Sequence, residues 1–177
     1  MIFEPLELPG LYRISPEPHA DARGLFARTF CEDEFSAHGL TARFAQSSVS
    51  FNAKRGTLRG LHFARDPHAE TKLVRCTAGA IHDVAVDLRP GSPTYLRALA
   101  VTLSAENRHA LYIPAGFAHG FQALQDATEV LYMIDRPFMA GAADGLRWDD
   151  PALDLTWPAP VTVISERDRT YPDWTGR

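Results

Sequence analysis

The feature that most constrains this chain is its punctuation. Thirteen prolines and twelve glycines divide 177 residues into short apolar runs. Proline breaks the helical hydrogen-bond ladder and glycine weakens it, so a chain interrupted this often does not build long helices. It suits many short strands joined by turns. The length argues for one domain, residues 1–177, with room for a real core. The hydrophobic share of 45% is ordinary for a globular protein. No internal repeat, low-complexity tract or linker interrupts it.

The strands can be read individually. Residues 73–77, a tight turn at Ala78-Gly79-Ala80 and residues 81–88 form a strand, a turn and a second strand. Further strands are expected over 96–103, 110–113, 121–124 and 129–134, with a polar turn at 104–107. Even spacing of short strands indicates a sandwich or barrel. The clearest helix covers 32–38, acidic at its start and stopped by Gly39. Alternation over 81–88 puts Val84, Val86 and Leu88 on one face and Asp83 and Asp87 on the other. A face with two acids is either solvated or lines a polar cavity, and the solvated reading is the default.

Charge and composition exclude several classes. The net charge of −4 argues against a nucleic-acid surface, though not against a local cationic pocket. No apolar run approaches the roughly 18–20 residues of a membrane span. Cys31 and Cys76 form no CxxC pair, and the start carries no signal peptide, so a reduced cytoplasm is expected.

Several polar residues stand out chemically. His62, in Leu58-Arg59-Gly60-Leu61-His62-Phe63, has the character of a general base, although a lone histidine is more often structural. Alternation separates Arg59 from His62, so a shared pocket requires Gly60 to mark a bulge. Lys72 begins an apolar strand; it is either a charged strand end in water or a cation for a developing enolate. Tyr132, within Val130-Leu131-Tyr132-Met133-Ile134, is either a sheet aromatic or a phenol seeking a partner. Asp168 sits in a charged tail; its functional alternative is to fix the tautomer of His62. Arg23, in Asp21-Ala22-Arg23-Gly24-Leu25-Phe26, is either a surface arginine or, with Arg59, a diphosphate ligand.

Residues 113–120, Ile-Pro-Ala-Gly-Phe-Ala-His-Gly, resemble the second cupin motif, P-x-G-x-x-H, with a tight turn followed by His119. In metal-dependent cupins that histidine is a ligand, and the first motif carries H-x-H and a glutamate. Here the nearest match, His68-Ala69-Glu70, lacks one histidine. A metal site on His68, Glu70 and His119 is therefore the weaker alternative.

Taken in order, D-A-R-G-L-F (21–26), L-R-G-L-H-F (58–63), K-L-V-R (72–75), D-V-A-V-D-L-R (83–89), T-L-S-A-E-N (102–107), I-P-A-G-F-A-H-G-F (113–121), V-L-Y (130–132), R-W-D-D-P (147–151) and S-E-R-D (165–168) resemble the dTDP-4-dehydrorhamnose 3,5-epimerase family. The resemblance spans nearly the whole chain. It implies an all-β cupin jelly-roll barrel with a few short helices, and a homodimer that exchanges N-terminal strands. It implies an isomerase of a nucleotide-linked 4-keto-6-deoxyhexose that needs neither metal nor redox cofactor. By the same resemblance His62 is the base paired with Asp168, Tyr132 the acid, and Lys72 the cation at the C4 ketone. Arg23 and Arg59 would hold the diphosphate, Arg23 across the dimer. Phe26, Arg28, Gln46, His119 and Phe138 complete the substrate-binding set.

The chain departs from the family where the base is read. Arg28 stands where the family usually has an acid, and Pro137 and Phe138 stand where it usually has a Tyr-Tyr pair. Met133 replaces a frequent lysine. These departures leave CDP- or GDP-linked sugars beside dTDP, and inversion at C3, C5 or both. A non-catalytic sugar-nucleotide binding cupin is the remaining alternative; such a binder has no need of His62, Tyr132 and Asp168 together.

Overall fold

Strands account for most of the regular structure in a computed structural model of the protein, which describes residues 1–176. In chain order they are β1 (Ile2–Pro5), β2 (Tyr12–Ser15), β3 (His19–Asp21), β4 (Gly24–Phe26), β5 (Gln46–Asn52), β6 (Leu58–Ala64) and β7 (Lys72–Ala78). Then come β8 (Ala80–Asp87), β9 (Ala98–Ser104), β10 (Ala110–Ile113), β11 (Phe117–Ala123), β12 (Thr128–Ile134) and β13 (Ala143–Gly145). Two short helices, α1 (Glu32–Ala37) and α2 (Glu166–Arg169), complete the set with one 3-10 turn.

Two antiparallel sheets face each other: a six-stranded one ordered β1-β2-β10-β7-β12-β5 and a five-stranded one ordered β13-β6-β11-β8-β9. This is a cupin-like jelly roll. Strands β3 and β4 pair only with each other, as a hairpin outside both sheets. Period-two alternation explains the interior. Val74 and Cys76 of β7, Leu111 and Ile113 of β10, and Val130 of β12 meet Ile81, Ala85, Leu103, Phe117 and Phe121 of the other sheet. The same alternation continues along two of these strands into the mouth: Lys72 follows Val74 on its face, and Tyr132 follows Val130. The polar cavity opens beside this core, with Phe121 lining both.

Both outer faces are covered by irregular chain. Over the six-stranded sheet, Phe35 of α1 with Phe30 and Phe44 packs on Ile14, Leu73, Ala110 and Tyr112. Over the five-stranded sheet, Leu146, Leu153, Leu155, Trp157 and Trp174 pack on Leu61, Val84, Val86 and Ala118.

These covers correct one expectation. Asp83 and Asp87 are fully buried rather than solvated. They point into the barrel, where Arg89, Ser92 and Thr94 bind Asp87, and His119 binds Asp83. Other boundaries shift. The strand expected over 96–103 begins at Ala98, because Leu96 adopts φ +62° in the preceding turn. The strand expected over 121–124 runs over Phe117–Ala123, so His119, just past the turn, already lies within β11. The expected helix is α1, which ends at Ala37 with His38 as its cap.

Candidate active site

His62 and Arg59 reach one cavity because β6 carries an extra residue. His119 of β11 pairs with His62 and Phe121 with Arg59, so Gly60 and Leu61 together oppose Gly120. This is the bulge that the sequence required. Gly60 has φ +115°, and a Cβ there would lie 2.6 Å from the Gly120 Cα. Only glycine fits both the conformation and the space.

His62 Nε2 lies 2.7 Å from Asp168 Oδ1. Asp168 is carried by α2, capped by Ser165, and its Oδ2 accepts the Gly60 N–H at 3.2 Å. Burial alone would raise the Asp168 carboxyl; hydrogen bonding from His62 and Gly60 outweighs it and holds the group below the ordinary aspartate range. An ionised Asp168 accepts from Nε2–H, which leaves Nδ1 as the basic ring nitrogen.

Tyr132 stands on β12, in the opposite sheet. It lines the cavity, with only part of its ring accessible from that space. Burial, reinforced by the Asp83 charge, pushes its phenol well above the ordinary tyrosine value, and Arg59 offsets only part of this. The His119 ring meets it edge-on, with centroids 5.9 Å apart. His119 Nε2 is in turn held by Asp83 Oδ1 at 2.7 Å.

Lys72 is buried at the cavity wall. Its Nζ lies 3.1 Å from Glu70 Oε1 and 3.4 Å from the His62 carbonyl oxygen. Arg59 donates from Nε to Asn52 Oδ1 at 2.8 Å and has no carboxylate partner among the described residues. Gln46 lines the wall and donates to the Arg136 carbonyl oxygen. Phe138, 69% exposed, lies at the mouth beside Pro137 and Met139. The cavity measures about 600 Å³, within the range for a small-molecule site.

The structure therefore brings together His62, Asp168, Tyr132, Lys72, Arg59, Gln46, His119 and Phe138. It does not bring in Arg23, Phe26 or Arg28: neither the β3–β4 hairpin nor the segment that follows it lines the cavity. Arg23 is exposed and paired with Asp21, Phe26 is 77% exposed, and Arg28 bonds Glu34 at 2.9 Å. The departure at Met133 has no bearing on the cavity, since that side chain packs in the outer cluster with Phe35. Of the three candidate metal ligands, Glu70 is committed to Lys72 and His119 to Asp83. Among the described residues no three His, Cys, Asp or Glu side chains are grouped to hold an ion. No helix among the described residues is long and apolar enough to cross a membrane.

Sequence reasoning missed Glu70 as the partner of Lys72, Asp83 beneath His119, Arg167 at the wall, and β5 as a strand, with Ser48, Ser50 and Asn52 beside the expected Gln46. A signal existed for β5: Val49 and Phe51 alternate with polar residues that face inward.

The family model for dTDP-4-dehydrorhamnose 3,5-epimerase matches residues 5–175. An enzyme of that name from Sinorhizobium fredii is 44% identical over 97% of this chain and 89% of its own. The dTDP-4-dehydrorhamnose 3-epimerase of Streptomyces niveus is 37% identical over 96% and 82%. The crystal structure of the Bacillus anthracis dTDP-4-dehydrorhamnose 3,5-epimerase, with TDP and PPi bound, superimposes with a TM-score of 0.95 at 37% identity, covering 98% of this chain and 99% of that one. The chain belongs to the dTDP-4-dehydrorhamnose 3,5-epimerase family.

Proposed function

We propose that the protein is an isomerase that epimerises a nucleotide-linked 4-keto-6-deoxyhexose beside its C4 ketone. One observation carries the reading: the His62–Asp168 pair and the Tyr132 phenol stand on facing sheets across a single cavity. A base and an acid on opposite walls are what inversion of a carbon requires.

The ketone acidifies the protons on C3 and C5. His62 Nδ1 takes a proton, and the imidazolium formed is stabilised by Asp168. Negative charge develops on the ketone oxygen, where the Lys72 ammonium stabilises it. Tyr132, kept protonated by its burial, returns a proton to the other face. The chemistry calls for neither a redox cofactor nor a metal. Arg59 and Arg167 supply cationic forks for the diphosphate, and Phe138 gives the nucleobase a stacking surface. The protein works as a homodimer in which the β3–β4 hairpin and the residues just after it deliver Arg23, Phe26 and Arg28 to the partner's cavity. The free thiols of Cys31 and Cys76 suit a reducing cytoplasm.

The relatives' names make dTDP the first nucleotide to test. Arg28 is a donor-only side chain where the family usually has an acid, which keeps CDP- and GDP-linked ketosugars as comparators. The test is deuterium incorporation from D2O into dTDP-4-keto-6-deoxyglucose, read by mass spectrometry and NMR. Deuterium at both C3 and C5 establishes a 3,5-epimerase, and deuterium at one carbon a single-centre enzyme. If neither this substrate nor its CDP and GDP analogues exchange, the proposal fails and a sugar-nucleotide binding role takes its place.

A further inference from the structure

Asn52 is the last residue of β5 and only 1% exposed. It is not among the residues that line the cavity. Its amide is nevertheless fully committed. Nδ2 donates to the Thr128 carbonyl oxygen at 3.2 Å and to the Ser50 carbonyl oxygen at 3.3 Å. Both partners are acceptors, so the amide orientation is determined: nitrogen toward the sheet, oxygen away from it. That oxygen accepts the Arg59 Nε–H at 2.8 Å.

The link ties the two sheets together where β5 turns into β6. Asn52 belongs to the six-stranded sheet and Arg59 to the five-stranded one. Arg59 also donates from Nη2 to the Phe51 carbonyl oxygen at 3.3 Å. Both contacts are to neutral acceptors. They fix the guanidinium plane without cancelling its charge, which a carboxylate at the same place would do. With Nε and one Nη2 N–H held in this way, Arg59 keeps both Nη1 N–H bonds and the second one of Nη2 for a ligand, in a planar fork that matches phosphate oxygens.

We propose that Asn52 is a positioning residue for the anion-binding arginine of this site, holding Arg59 oriented and fully charged toward the diphosphate of the substrate. The proposal rests on the reading of Arg59 as a diphosphate ligand. It gives a buried, non-contacting residue a defined share in substrate affinity.

The test is a double-mutant cycle with inorganic pyrophosphate and dTDP as probes, measured by calorimetry, alongside steady-state kinetics. Asn52→Ala should weaken pyrophosphate binding and raise KM by about tenfold, with a smaller change in kcat, as expected for one hydrogen bond to a charged group. In an Arg59→Gln background the same substitution should cost no further affinity. If Asn52→Ala does not fold, Asn52→Ser serves instead, since its hydroxyl is too short to reach Nε. Unchanged pyrophosphate affinity in the single variant overturns the proposal. So does an equal loss in both backgrounds, which would place the effect in the fold and not in Arg59. A wild-type protein that binds neither probe refutes the diphosphate reading itself, a result distinct from either.

Discussion

In the proposed mechanism His62 and Tyr132 do opposite work, and their surroundings differ accordingly. His62 has a charged partner: Asp168 occupies one ring nitrogen and stabilises the cation that forms when the other takes a proton. Among the described residues Tyr132 has no hydrogen-bonding partner to stabilise a phenolate, and both burial and the Asp83 charge oppose its ionisation. It therefore remains a proton donor through neutral and mildly alkaline pH. The two residues should separate in experiment. His62→Ala should lower deuterium exchange at both carbons by about a thousandfold, the usual scale for losing a general base. Tyr132→Phe should leave exchange measurable while inversion falls by about a hundredfold or more, because the proton still leaves but returns to the face it left. Equal loss of exchange and inversion in Tyr132→Phe would show that the phenol is needed to remove the proton as well.

The pocket depends on the β6 bulge, because unbroken alternation would send Arg59 and His62 to opposite faces. Gly60→Ala should be destabilising by on the order of 3 kcal/mol, from a disfavoured backbone conformation and a clash with Gly120. Urea unfolding measures this directly; a variant as stable as wild type would mean that the bulge relaxes without cost. The bulge was legible in advance because two functional residue types conflicted with simple period two at a glycine. Strands β7, β8, β10 and β12 were legible for a plainer reason, since their apolar residues are contiguous or alternate cleanly. The two acids of β8 were not. Alternation assigned them a common face, but which face meets water depends on what the rest of the chain covers. Here the irregular segment carrying Leu153 and Trp157 buries the apolar outer face, and the acids turn inward to Arg89 and His119. Strand β5 escaped notice because its inward side chains are polar, serving the cavity where other strands serve the core. The residues of the proposed catalytic set stand out by motif order, whereas the partners they meet, Glu70, Asp83 and Asn52, carry no signal until the fold brings them close.

The whole molecule leaves one part of its expected site unfilled. The β3–β4 hairpin bonds to neither sheet and presents Leu25 and Phe26 at 44% and 77% exposure. Apolar side chains held out in this way mark a contact surface more often than a solvated tip. On the edge strand β5, Val49 and Phe51 are each 57% exposed and add apolar surface near the mouth. If the hairpin completes the site of a second copy, each site draws His62 from one subunit and Arg23 from the other. Subunit mixing tests this. Arg23→Ala and His62→Ala homodimers, each impaired alone, are unfolded, mixed and refolded together. In a heterodimer one site then pairs an intact His62 with an intact Arg23, while the other site carries both substitutions. Random pairing should restore about one quarter of wild-type activity per site in a two-fold dimer. If Arg23 serves its own subunit, every site in the mixture keeps one defect, and activity stays at the level of the separate variants. Sedimentation must show a dimer for either result to be read; a strictly monomeric wild-type enzyme with full activity would remove Arg23, Phe26 and Arg28 from the site altogether.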